Sequence, residues 1–176
     1  MAVVWRRLGL TNKGQAGFTL IEVIATLAIT GIIGLGAGMT VNQVLTQGSR
    51  NTDYTAASRQ TLNALHWISR DAQMAQTVSA NGTSGFPLTL GWVEWDNSAH
   101  QVIYALEADD MRRSYSVDGG QGRETLVASY INSVSENTTC EFAGGTLTLR
   151  ITATVGEGVQ ATSVTKVREI APRPDL

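Results

Sequence analysis

Three patterns of apolar and polar positions follow one another along the chain. From Phe18 to about Val41 the residues are apolar or small, and Glu22 alone carries a charge. That run of about 24 residues is long enough to cross a hydrocarbon core of about 30 Å as a helix rising about 1.5 Å per residue. Beyond it Tyr54, Ala57, Thr61, Ala64, Leu65, Ile68, Ala72 and Ala75 recur at spacings of three and four. Arg59, Asn63, Arg70 and Gln73 fall largely on other faces. This period predicts an amphipathic helix to about Val78, with an apolar stripe that packs on something. One helix from Phe18 to Val78 would be roughly 90 Å long. Gly48, Ser49 and Asn51 are expected to weaken it locally. Asn81-Gly82-Thr83-Ser84-Gly85 reads as its break.

After Phe86 the period turns to two. Leu88, Leu90 and Trp92 form one alternating set, Val102, Tyr104 and Leu106 a second, and Met111, Arg113, Tyr115 and Val117 a third. Asp96-Asn97-Ser98, Asp109-Asp110 and Asp118-Gly119-Gly120 separate them as turns. Leu126 to Ile131 fits a strand or a short helix. Leu147, Leu149, Ile151, Ala153 and Val155 make the clearest strand, entered through Gly144-Gly145 and left at Gly156. A last strand covers Ala161 to Ile170, ended by Pro172 and Pro174. The predicted fold class is α+β: a long N-terminal transmembrane helix as a spine, packed against a C-terminal antiparallel β-sheet.

Charge orients the span. Residues 1–17 hold Arg6, Arg7 and Lys13 and no acid, so the N-terminal flank stays cytoplasmic and the rest is exported. A cleaved secretory signal fits poorly. The apolar run is too long, and the small residues Gly14, Ala16 and Gly17 precede it instead of following it. Cleavage there would leave the membrane helix on the mature chain with a new amine at its tip. A buried acid costs roughly 2.5–3.5 kcal/mol near a membrane helix centre and somewhat less toward its end, so Glu22 calls for a partner. A neighbouring chain's amine, its own chain's amine one turn away, and the positive end of the helix dipole all qualify.

The run Lys13-Gly14-Gln15-Ala16-Gly17-Phe18-Thr19-Leu20-Ile21-Glu22, followed by the apolar span, resembles the prepilin motif of type IV pilins and type II secretion pseudopilins. The resemblance covers about the first quarter of the chain. It implies cleavage by a membrane prepilin peptidase after Gly17, N-methylation of Phe18, and Glu22 as the family's acidic assembly residue. It favours the intermolecular partner for Glu22. The partners implied are the prepilin peptidase/methyltransferase, other pilin or pseudopilin subunits, an inner-membrane assembly platform and membrane lipid. Helix against sheet is also the fold it implies. Two features depart from the family's pattern. No proline precedes Pro87 to kink the helix, which leaves any bend to Gly31, Gly34, Gly36 and Gly38, where Gly34 and Gly38 also form a close-approach spacing. Cys140 is the only cysteine, so the C-terminal disulfide loop of many major pilins is impossible. With the β region and the length, this resembles a minor pilin or minor pseudopilin.

Composition narrows the rest. The net charge is −2 and the pI about 5.6, without the basic face that nucleic acid requires. Arg112-Arg113, the only basic pair outside the leader, reads as a solvated strand edge. Cys140 reads as a small packed hydrophobe. His66 and His100 have no ligand spacing around them, and no nucleophile elbow accompanies the serines, so no catalytic or metal residue is nominated, no cofactor is expected and an enzyme is not expected. Asp118 and Glu124 across a glycine-rich loop could hold calcium, but solvated turn acids suit them better. Trp92 and Trp95 should face opposite ways, one of them exposed, with core or filament contact favoured over a ligand site. Asn81-Gly82-Thr83 and Asn137-Thr138-Thr139 match the glycosylation triplet weakly.

The expected organisation is a leader over 1–17, a transmembrane helix over 18–41, an exported amphipathic helix over 42–78 and a β domain over 79–176. The expected location is the inner membrane, single-pass, with the N-terminus cytoplasmic and the C-terminal domain periplasmic or extracellular, followed by filament or pseudopilus. The alternative is a membrane-tethered extracytoplasmic ligand-binding module.

Overall fold

A computed structural model describes residues 17–158 and 161–173. The basic leader residues Arg6, Arg7 and Lys13, and the terminal Pro174, lie outside the described residues. The chain divides into two compact units, one ending at Leu45 and the other beginning at Thr46.

Helix α1 covers Leu20–Met74, 55 residues. It runs unbroken through Gly48, Ser49 and Asn51, where a weak point was predicted, because one interruption among many good helix formers costs too little to end a long helix. In its first unit the helix is apolar on every side. Ile21, Leu27, Ile32, Leu35 and Met39 are each more than half exposed. A side chain built on any of the four span glycines would meet nothing, so they form no packing face within this unit. The span's threonines return their hydroxyls to the helix: Thr26 Oγ1 donates to Val23 O at 2.9 Å, Thr30 Oγ1 to Thr26 O at 2.7 Å and Thr40 Oγ1 to Gly36 O at 2.9 Å. These three hydroxyls therefore need no water, as a hydrocarbon surround demands.

The second unit contains the outer part of α1 and eight strands. β1 (Thr77–Ala80), β2 (Leu88–Val93), β3 (Ala99–Glu107), β4 (Asp110–Val117) and β5 (Arg123–Ala128) form one antiparallel sheet in sequence order. β6 (Thr139–Ala143), β7 (Thr146–Val155) and β8 (Thr162–Ile170) form a second. The expected α+β fold, a long helix with antiparallel β-structure packed against it, is what the chain adopts, its strands divided between two sheets. The chain between β5 and β6 gives only a bridge, Ile131 to Ala153, before β6 takes the rest of that edge of β7. β6 itself had no alternating signal strong enough to predict it. The sheets meet through Cys140 N, which donates to Ser84 O at 2.8 Å.

Helix α1 stops at Met74, not Val78, and Thr77–Ala80 pairs with β2 as an edge strand. Gln76 N donates to Gly91 O at 2.8 Å, and its side-chain Oε1 accepts from Val93 N at 2.8 Å, so sheet pairing captures the chain directly after the helix. The predicted stripe packs as expected from Ala57 through Ala75, except that Tyr54 lies beyond the sheets and is exposed. Ala57, Ala64 and Ala72 of α1, and Ala75 just past its end, are fully buried. Ile68 belongs to one core cluster with Leu88, Leu90, Tyr104, Leu149 and Ile151, all with no exposed surface.

Arg113 is not a solvated edge. Its side chain turns inward and pairs with Asp71 of α1, Nε to Oδ2 at 2.7 Å and Nη2 to Oδ1 at 3.3 Å. Tyr104 Oη donates to the same Asp71 oxygen at 2.5 Å. Burial first, then the Asp71 charge, push the Tyr104 hydroxyl far above the usual tyrosine range. Burial works against the Arg113 charge, but the hydrogen bond and charge of Asp71 outweigh it and hold its pKa above the usual arginine value. Arg112, its sequence neighbour, points the other way and pairs at the surface with Glu107 at 2.9 Å. One of the two arginines meets the expectation and the other locks helix to sheet.

Candidate functional site

The sequence placed its site residues at the start of α1. Gly17 and Phe18 precede the helix, and Phe18 is 84% exposed. Thr19 is the N-cap. Its carbonyl accepts from Glu22 N at 3.0 Å and Val23 N at 3.2 Å. Its hydroxyl accepts from Glu22 N at 3.4 Å, while Glu22 Oε2 reaches back to Thr19 N and Oγ1, each at 3.4 Å. This is a reciprocal capping box. The Thr-x-x-Glu spacing before an apolar run is its signature, legible in the sequence yet not drawn from it.

The box fixes what Glu22 can do. It aims the carboxylate at the helix N-terminus, where orphan amides and the helix dipole favour a negative charge. Its hydrogen bonds are long and the residue is exposed, so the oxygens stay open to a stronger donor. A primary ammonium is such a donor, and charge-assisted bonds are about twice as strong as neutral ones. The neighbours of Glu22 along the chain on this helix are apolar and outward-facing. Ile21, Val23 and Ile24 are 73%, 44% and 54% exposed. By length and composition, α1 can cross a membrane. The geometry provides a greasy rod with one anion at its tip.

The remaining candidates lie elsewhere and apart from one another. Asp118 Oδ1 caps Ala99 N at 2.8 Å, whereas Glu124 approaches Arg112 at 3.9 Å. Among the described residues no three His, Cys, Asp or Glu side chains gather as metal ligands. Cys140 is buried, and burial pushes its thiol up to about 12. His66 is exposed on α1. His100 is packed between aromatic neighbours. Asn137 gives its carbonyl to Thr152 Oγ1 at 2.6 Å, which draws the 132–138 segment over sheet β6–β8. Sequence reasoning missed Asp71. Its place three residues after Ile68 and four before Ala75, both fully buried, was the available signal, since that spacing sets it on the packed face.

Residues 12–38 match the family model described as Prokaryotic N-terminal methylation motif. The matched segment contains Gly17, Phe18, the capping box and most of the apolar span. Among curated proteins and among solved structures, nothing matches.

Proposed function

We propose that this chain is a prepilin-like protein of the type IV pilin and pseudopilin family and serves as a minor subunit of a pilus or of a type II secretion pseudopilus; the methylation motif over residues 12–38 supports this reading. Proteins of this family are structural subunits and not enzymes, processed by a prepilin peptidase and assembled with other pilins. The finer reading is as follows. The leader, residues 1–17, is removed after Gly17. Phe18 becomes the N-methylated terminus. Residues 18–41 hold the precursor in the inner membrane, with the outer helix and the β domain on the far side. An assembly platform then draws the chain out of lipid and into a filament.

One observation carries this reading: the first unit of α1 exposes apolar side chains all round and offers a single carboxylate at its tip. Such a surface is stable only in lipid or among like helices. Lipid leaves the carboxylate to its weak capping bonds, whereas a neighbouring chain's terminal ammonium offers it a charged partner. A paired buried charge is tolerated where an unpaired one is not, so the pair would select the register of one subunit on the next. The lone buried cysteine, which leaves the β domain to rely on packing, supports the minor assignment.

Mass spectrometry of the mature protein tests the processing step. The expected N-terminus is Phe18 carrying one methyl group. Any other terminus overturns it.

A further inference from the structure

The turn between β2 and β3 presents Trp95 almost entirely to solvent, at 95% exposure. The turn itself is pinned. Glu94 N donates to Ser98 O and Asn97 N to Glu94 O, both at 3.0 Å. Asp96 Oδ1 accepts from Ser98 N at 3.0 Å and from Ser98 Oγ at 2.6 Å, and these bonds hold the Asp96 carboxyl below its ordinary range. Asn97 takes the left-handed conformation the turn needs, at φ +70°. A large apolar ring held outward by an ordered turn is presented, not merely loose.

The layer beneath is equally fixed. The Trp92 ring stacks on His100 at 5.3 Å with 3° between planes, and Tyr115 lies 5.8 Å from His100. Ser98 Oγ, which gives its hydrogen to Asp96, lies 2.9 Å from His100 Nε2, and Tyr115 Oη lies 2.6 Å from His100 Nδ1. Arg113 sits 5.2 Å from the Tyr115 ring and closes the far side.

Between this hairpin and the end of α1 lies a groove of about 470 Å³, lined by Gln73, Met74, Trp92, Glu94, Trp95 and Arg173. Among the described residues Arg173 has no ion-pair partner and the Gln73 amide no hydrogen-bond partner. The groove therefore combines a flat apolar ring, a forked donor, an amide that both donates and accepts, and a carboxylate. A phosphorylated ligand would face one cation and the repelling Glu94. An apolar segment would bury Arg173 and Gln73 without partners. A quaternary ammonium needs an enclosing aromatic cage, which so open a Trp95 does not supply. A pyranose ring has the complementary surface: one face of C–H groups for the indole, and a rim of hydroxyls that donate and accept.

We propose that this groove binds a neutral saccharide of one or two pyranose rings, stacked on Trp95 and hydrogen-bonded by Gln73, Glu94 and Arg173. The volume lies at the small end of ligand pockets and suits roughly two rings. The proposal is independent of the assembly reading, because no residue of the groove belongs to the span.

The test is titration calorimetry on the full chain in lipid nanodiscs free of glycoside detergents, with cellobiose and chitobiose as soluble probes. Sedimentation with insoluble chitin separates a polymer-bound from a free-sugar source. Saturable binding with a Kd of roughly 0.1–10 mM is expected. Trp95→Ala should weaken it about tenfold or more, and Arg173→Gln should weaken it several-fold, with the circular dichroism of both variants unchanged. Absence of saturable binding to either disaccharide and to chitin overturns the proposal. So does unaltered binding by Trp95→Ala. So does loss of filament incorporation in Trp95→Ala from a chain that binds no sugar, which would make the hairpin a protein contact.

Discussion

Asp71, on the helix, and Arg113, on β4, form an ion pair at 2.7 Å with side chains only 2% and 14% exposed. Tyr104 supplies a third hydrogen bond to the same carboxylate. The pair fixes helix against sheet at one register, since a slip of one residue in β4 would turn Arg113 to the other face.

Breaking this pair from one side should be costly, because the surviving charge stays buried. Asp71→Asn and Arg113→Met are each expected to lose about 3–5 kcal/mol in denaturant unfolding of the full chain in micelles. Tyr104→Phe should lose only about 1–2 kcal/mol. The double variant Asp71→Asn with Arg113→Met should lose less than the sum of the two singles. Wild-type stability in Asp71→Asn would mean that the pair does not lock the helix.

Capping and charge pairing at Glu22 can be separated by one atom. Glu22→Gln keeps the acceptor of the capping box and removes the charge, whereas Thr19→Ala removes the cap at about 1 kcal/mol of helix stability and keeps the charge. If an ammonium on a neighbouring chain is the partner, Glu22→Gln and Glu22→Ala should both spare cleavage at Gly17 and both impair incorporation. Thr19→Ala should incorporate more nearly normally. Pull-down of filaments with immunoblotting reads all three. Normal incorporation of Glu22→Gln would leave Glu22 with a capping role alone.

Cys140 should resist thiol reagents at pH 8 in the folded protein and react fully once unfolded, since burial raises its thiol to about 12. The same shift sets a sign for stability. Above the ordinary thiol value of 9.0 the unfolded chain loses this proton while the folded chain keeps it, up to about 12. The unfolded state then binds fewer protons, so stability falls as pH rises through that window. The fall should be shallower in Cys140→Ala. Parallel curves for the two proteins, read by chemical denaturation from pH 8 to 11, would contradict the assignment.

Gly85 stands where the two sheets meet. Its φ is +79°, and a Cβ added there would collide with the carbonyl oxygen of Cys140. Gly85→Ala must move a backbone that holds the Cys140 N to Ser84 O bond. A loss of about 2 kcal/mol or more is expected, from the left-handed penalty of roughly 1–2 kcal/mol together with the clash. Gly119→Ala is the control. It has a similar φ of +70° and open space around it, so it should lose only the conformational part. Equal losses in the two variants would rule out the clash.

The local elements were legible because local rules set them. A three-and-four spacing forces one helix face together, and alternation forces one strand face together, whatever the rest of the chain does. Hence the stripe from Ala57 to Ala75, the strands around Leu90, Val102 and Ile151, and the turn at Asp96–Ser98 all appear in the sequence. The cleavage motif is legible for the same reason, since its residues are contiguous. The helix end was misplaced by four residues because Thr77–Ala80 carries no strong period, and only its pairing with β2 makes it a strand.

The sequence by itself determined an apolar rod with an acid near its tip, a packed stripe behind it and antiparallel strands after that. The tertiary structure alone decided which polar residues are buried together. Arg113 and Asp71 lie 42 positions apart, and although the stripe spacing puts Asp71 on the packed face, nothing near it in the chain names Arg113 as its partner. It also decided that the strands form two sheets and that Trp95, Gln73 and Arg173 share a groove. Periodicity is a property of neighbours along the chain. Burial and pairing are properties of segments that meet only once the chain has folded.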